Sequence, residues 1–104
     1  HQQNEGAASF WEHEGLKVDF ASHKVTINQL EINLTATEFN LLAELIQSKG
    51  KVKTRDQLLN KVWGYEFDGY ARTVDTHVRR LRQKIEPYSN LVETVRGVGY
   101  RLKE

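Results

Sequence analysis

Apolar residues along this chain follow three rhythms. From His1 to Ser9 there is none: the stretch is polar and aperiodic, and reads as a linker remnant or disordered tail (1–9) ahead of a single domain (10–104). The chain opens without an initiator methionine, so a segment excised from something longer is expected. From Leu16 to Leu34 the period is two. Leu16, Val18 and Phe20 alternate, as do Val25 and Ile27, then Leu30, Ile32 and Leu34, with turn-like breaks at Ala21–Lys24 and Asn28–Gln29. This predicts an antiparallel meander of about three or four short strands.

Helical spacing follows. Thr35-Ala36-Thr37-Glu38 fits a capping box, in which a Thr35 N-cap and a Glu38 side chain satisfy each other's backbone N–H groups. Phe39, Leu42, Leu45 and Ile46 form the apolar stripe of that helix, and Gly50 is placed to end it. A second box, Thr54-Arg55-Asp56-Gln57, opens a shorter helix with Leu58, Leu59, Val62 and Trp63 inward and Gly64 as its stop. An aromatic and acidic connection, Tyr65–Tyr70, leads to a third helix beginning near Ala71 or Arg72 and halted by Glu86-Pro87. Two strands close the chain, Leu91–Arg96 and Tyr100–Lys103, joined through Gly97-Val98-Gly99. Three helices with a hairpin after the third, behind a leading small sheet, predict an α+β winged helix-turn-helix, the hairpin being the wing.

The third helix has two faces with different work. Val74, Val78, Leu81 and Ile85 recur at i, i+4, i+7 and i+11, a stripe that docks on a core. The opposite side collects Arg72, Thr76, Arg79, Arg80 and Gln83, with Thr73 and His77 on one shoulder and Arg82 on the other. An arginine face on a docked helix suits the DNA major groove, where guanidinium can fork onto guanine and hold phosphates. A solvated helix surface is the alternative, since arginine is also a good helix former.

Charge sharpens this. The formal net charge of +1 hides an asymmetry: residues 1–50 carry three basic and seven acidic side chains, residues 51–104 twelve and seven. The second half can steer toward a polyanion. There is no cysteine, hence no disulfide or thiolate metal site, and no apolar run of about 20 residues to span a membrane. Enzymatic chemistry finds little material. His1, His13, His23 and His77 are scattered without zinc-ligand spacing. Asp75 and His77, two apart on a helix, cannot face each other. Gly97-Val98-Gly99 lacks the following helix of a phosphate-cradling loop. No catalysis, cofactor or metal is expected.

Four blocks, Leu34–Leu42, Val62-Trp63-Gly64, Arg72–Arg82 and Thr94–Tyr100, closely resemble the C-terminal effector domain of OmpR/PhoB-type response regulators, in order and at family spacing, over Leu16 to Leu102. The resemblance implies a cytoplasmic bacterial transcription factor that binds double-stranded DNA. In such a protein a receiver domain N-terminal to this segment is phosphorylated by a sensor histidine kinase. It places helix 72–85 in the major groove and wing 91–103 in the minor groove. It also implies a homodimer on direct repeats of DNA and a monomer as an isolated domain. Loop residues Tyr65, Glu66, Phe67, Asp68, Gly69 and Tyr70 would contact RNA polymerase. Residue by residue, the resemblance gives base contacts to Thr76, Arg80 and Arg82. Backbone contacts go to Trp63, Arg72, Thr73, His77 and Arg79, and wing contacts to Thr94, Arg96 and Tyr100.

Several of these positions have a second reading. Arg79 and Arg82 could pair with acids on neighbouring elements. Asp75 suits an ion pair better than a DNA contact, Trp63 is first a core aromatic, and His77 could be a boundary histidine. Tyr100 could simply pack the hairpin on the third helix, and the loop aromatics could cover the core edge. A winged-helix module that binds protein or RNA is the rival function, although it leaves the outward arginines without a purpose. Two departures from the family pattern stand out: Ala36 replaces the usual proline, and Ala71 replaces the Asp or Ser that caps the third helix. The second should leave that helix poorly capped, at a cost of about 0.5–2 kcal/mol.

Overall fold

A computed structural model describes residues 10–64 and 71–103, so the tail 1–9 and the loop Tyr65–Tyr70 lie outside the described residues. The chain divides into two compact units, His1–Asn33 and Leu34–Glu104.

The first unit is a four-stranded antiparallel meander of β1 (Phe10–His13), β2 (Leu16–Asp19), β3 (Lys24–Ile27) and β4 (Leu30–Ile32), paired in sequence order. Pairing Leu16 with Ile27 and Val18 with Val25 brings the four alternating apolar residues onto one buried face. Asn28 and Gln29, with φ of 52° and 72°, occupy the two left-handed positions that a tight two-residue hairpin turn demands. At the preceding turn the Asp19 carboxylate accepts the N–H groups of Ala21 and Ser22. Strand β1 escapes the periodicity because Phe-Trp-Glu-His has no apolar alternation; it exists through its ladder with β2. Leu30, expected on the inward rhythm, is instead 74% exposed where β4 leaves the turn.

In the second unit both capping boxes form. Thr35 caps α1 (Ala36–Gln47) by accepting from Glu38 N at 3.1 Å, while the Glu38 carboxylate takes Thr35 N–H at 2.9 Å. Thr54 and Gln57 repeat the arrangement at 3.0 and 2.9 Å at the start of α2 (Arg55–Leu58). Two terminations differ from expectation. Helix α1 stops at Ser48, whose hydroxyl donates back to the Glu44 carbonyl, and the left-handed residue just beyond is Lys49, with Gly50 only the second positive-φ position. Helix α2 passes into a π-helical turn, Leu59–Trp63, where Gly64 N–H reaches both Leu59 O and Asn60 O at a φ of 101°. The wider turn leaves Leu58 and Leu59 buried but Val62 and Trp63 only half-buried.

Helix α3 (Arg72–Lys84) starts at Ala71 with no side-chain cap. Val74, Val78, Leu81 and Ile85 are fully buried, as the stripe requires, where α3 packs against α1 and α2. Each such side chain contributes roughly 1.5–3 kcal/mol on leaving water. After a 3-10 turn, Ser89–Leu91, come β6 (Val92–Val95) and β7 (Gly99–Leu102). A short strand that the sequence did not announce, β5 (Lys53–Thr54), pairs with β7 to complete a three-stranded sheet of order β5-β7-β6. That pairing explains Gly99. It lies in β7 and not in the turn, and a Cβ there would overlap the Lys53 carbonyl. The turn itself is Arg96-Gly97-Val98, closed by Val98 N–H to Val95 O at 2.9 Å, with Gly97 at a φ of 77°.

Candidate nucleic-acid interface

The buried stripe of α3 fixes which side chains face out. Arg72, Arg79, Arg80 and Gln83 are exposed, and none of the three guanidinium groups has a hydrogen bond or ion pair among the described residues. Arg79 therefore does not take up its alternative pairing with an acid there. Thr76 is half-exposed, with only a long 3.4 Å contact from its hydroxyl to Arg72 O. Its methyl and hydroxyl stand on the same face as Arg72 and Arg80.

The shoulder residues are more constrained. His77 Nδ1 lies 2.9 Å from the Thr73 carbonyl. A carbonyl only accepts, so Nδ1 carries the proton, and Nε2 is left to accept in the neutral ring or donate in the imidazolium. Trp63 meets the His77 ring edge-on at 5.0 Å, which brings two sequence-predicted backbone contacts together between the π-helical turn and α3. Thr73 is half-buried and contributes its carbonyl to this arrangement.

Asp75 takes the ion pair its flank position suggested. Its Oδ1 receives Arg55 Nε at 2.9 Å and the Tyr100 hydroxyl at 2.6 Å. Tyr100 is only 6% exposed, so its ring packs the hairpin against α3 and its one polar atom is spoken for. Burial, then the bond and charge of Asp75, hold the phenol above its usual value, with Arg55 and Arg82 opposing.

Arg82 was expected at a base. Its Nε and Nη2 both donate to the Val92 carbonyl, at 3.0 and 2.6 Å, Nη2 also donates to Thr94 Oγ1 at 2.7 Å, and the guanidinium lies 5.7 Å from the centre of the Tyr100 ring. Thr94 remains exposed. At the wing turn Arg96 is exposed and unpaired among the described residues, beside Val98, a large apolar side chain 49% exposed that sequence reasoning passed over.

One buried charge was also missed. Glu38 is 2% exposed and receives Lys84 Nζ at 2.8 Å, tying the start of α1 to the end of α3. Burial pushes this carboxyl up, but the bonds from Lys84 and Thr35 outweigh it and hold it below its ordinary 4.5. Nothing in the local sequence announces a partner 46 positions away. The described residues contain no cluster of potential metal ligands and no helix long and apolar enough to cross a membrane.

A helix docked through one stripe and arginine-bearing on the other, preceded by two capped helices and followed by a hairpin, is the arrangement of a winged helix-turn-helix. The family described as transcriptional regulatory protein, C terminal, matches residues 29–102. The response regulator ArlR of Staphylococcus aureus is 45% identical over 91 residues, covering 86% of this chain and 42% of that protein. The AdeR response-regulator DNA-binding domain, solved in complex with an intercistronic region, is 36% identical with a TM-score of 0.78, covering 90% of this chain and 99% of that one. DrrB, an OmpR/PhoB homologue from Thermotoga maritima, is 33% identical with a TM-score of 0.84, covering 92% of this chain and 45% of that one. The chain belongs to this family, as a C-terminal effector domain of the OmpR/PhoB response-regulator type. It spans less than half the length of the curated relatives it matches.

Proposed function

We propose that this domain binds double-stranded DNA sequence-specifically and controls transcription as the output half of a two-component response regulator. The observation that carries the reading is the pair of faces on α3. Four fully buried side chains hold the helix, while Arg72, Arg79 and Arg80 project outward without a partner among the described residues. Unpaired guanidinium on a rigid helix retains its full capacity for phosphate and for guanine O6/N7. Helix 72–85 enters the major groove, with Thr76 and Arg80 as base readers and Arg72 and Arg79 on the phosphates. Trp63, Thr73 and His77 flank the same strand, where the Trp63 indole N–H and His77 Nε2 can meet a phosphate.

Wing 91–103 reaches the adjacent minor groove through Arg96, favoured where that groove is narrow. Thr94 stands beside it on the exposed side of the hairpin. Two copies bind as a homodimer on direct repeats about one helical turn apart, and the isolated domain is a monomer. Loop Tyr65–Tyr70 meets RNA polymerase, and a sensor histidine kinase acts through a receiver domain. The relative shares of chain length matched by ArlR leave room for such a receiver.

Selection from a random duplex pool tests the proposal. A recovered motif repeated at one-turn spacing is the expected result, and its affinity should fall log-linearly with salt, with a slope near −0.9 per phosphate neutralised. Recovery of no motif, with binding to single-stranded RNA or to protein alone, would favour the rival winged-helix functions.

A further inference from the structure

Among the described residues, Arg82 is the arginine of α3 whose guanidinium is already committed. We infer that it serves as a clasp between the recognition helix and the wing, a positioning residue and not a base reader. This rests on the DNA-binding reading above and deepens it.

The donor inventory carries the inference. Guanidinium has five N–H groups arranged as forks, and reading guanine requires two parallel donors from one fork. The Nε/Nη2 fork closes on Val92 O, and the remaining Nη2 hydrogen goes to Thr94 Oγ1, so the Nη1/Nη2 fork also has one arm in use. Only the two Nη1 hydrogens remain, and they do not make a complete fork. Swinging Arg82 to a base would also orphan the Val92 carbonyl. That carbonyl turns away from β7: Lys103 N–H bonds the Leu91 carbonyl, so the antiparallel register leaves Val92, opposite Leu102, in a non-hydrogen-bonded pair at the edge of the sheet. The guanidinium lies within cation–π distance of the Tyr100 ring, itself bonded to Asp75, which adds a second attachment between the same two elements.

Arg82 and Asp75 are seven residues apart on α3, about two turns, and hold the hairpin at two heights. Between them the hairpin has no freedom to slide along the helix. Helix and wing therefore meet DNA as one rigid piece, and Arg80 in one groove is coupled to Arg96 in the next.

Arg82→Lys keeps the charge but lacks the planar fork that closes on Val92 O while also reaching Thr94 Oγ1. In the free 104-residue chain, amide hydrogen exchange across Val92–Val95 should quicken by about tenfold or more in this variant, since bonds from a charged donor are lost. Unchanged exchange would overturn the clasp whether or not the domain binds DNA. On the selected duplex, Arg82→Lys should erase the dependence on flanking minor-groove sequence that Arg96 confers. Adding Arg96→Ala should then cost little more, and the preferred major-groove bases should stay the same. Loss of preference at a single major-groove base pair, with flank dependence intact, would make Arg82 a reader and sink the inference. A wild-type chain without sequence preference would instead refute the DNA-binding reading, leaving the exchange result to judge the clasp.

Discussion

The hydroxyl of Tyr100 donates to Asp75 Oδ1 at 2.6 Å, joining the hairpin to α3 through a single oxygen that also receives Arg55 from α2. Three elements far apart in sequence converge on one carboxylate. Tyr100→Phe keeps the ring and removes the bond, so stability should fall by about 1–3 kcal/mol in denaturant unfolding. The phenol is held above its ordinary 10.0 in the folded state, so its contribution is complete below pH 10 and fades as pH rises through the folded value. The alkaline fall in melting temperature should be shallower in Tyr100→Phe than in the wild type. Identical slopes would rule out Tyr100 as the titrating group.

Glu38 predicts the acid limb. Its carboxyl is held below 4.5 in the folded state, so its contribution is present above that pH and is lost as pH falls through the folded value. Glu38→Gln preserves the capping-box acceptor while ending the ion pair with Lys84, and should flatten the stability profile below pH 4.5. Because the Lys84 side chain is 40% exposed, screening limits the neutral-pH loss to roughly 1 kcal/mol. An unaltered acid limb in the variant would show that other carboxylates control it.

Arg80→Ala should cost about 1–3 kcal/mol of affinity on the selected site and relax its sequence preference, because Arg80 is exposed on the reading face and unpaired among the described residues. Competition binding against scrambled duplexes checks this. Equal loss on every duplex would mean that Arg80 holds phosphate.

Arg96→Ala should weaken binding chiefly on sites with A·T-rich flanks, where a narrow minor groove draws an inserted arginine. Titrations on paired duplexes differing only in the flank decide it. A loss independent of the flank would exclude minor-groove reading at the wing.

Gly99→Ala tests the β5–β7 contact. The added methyl would overlap the Lys53 carbonyl, so unfolding should show a loss of about 1–3 kcal/mol or more. Gly97→Ala, at a positive-φ position with open space around it, should cost about 1–2 kcal/mol through backbone strain instead. Matching melting temperatures for Gly99→Ala and the wild type would show that β5 does not pack there as described.

The sequence by itself determined the elements whose causes are local. Both capping boxes lie within four consecutive residues, the buried stripe of α3 within a dozen, and the β3–β4 turn within two, so each could be read from spacing alone. Ala71 lacking a capping side chain was legible for the same reason. The outward position of Arg72, Arg79 and Arg80 then followed from helical pitch, as did Asp75 as an ion-pairing residue. Tertiary structure alone decided the rest, wherever partners are distant in the chain. Strand β5 is two residues long and exists because β7 offers it a ladder. Glu38 is buried because Lys84 meets it, and Gly99 must be glycine because Lys53 passes over it. Arg82 and Tyr100, to which the family resemblance gave DNA contacts, lie near each other and bond to Val92, Thr94 and Asp75, partners no local pattern announces. Periodicity says which way a side chain points, but only the packed chain says what it finds there.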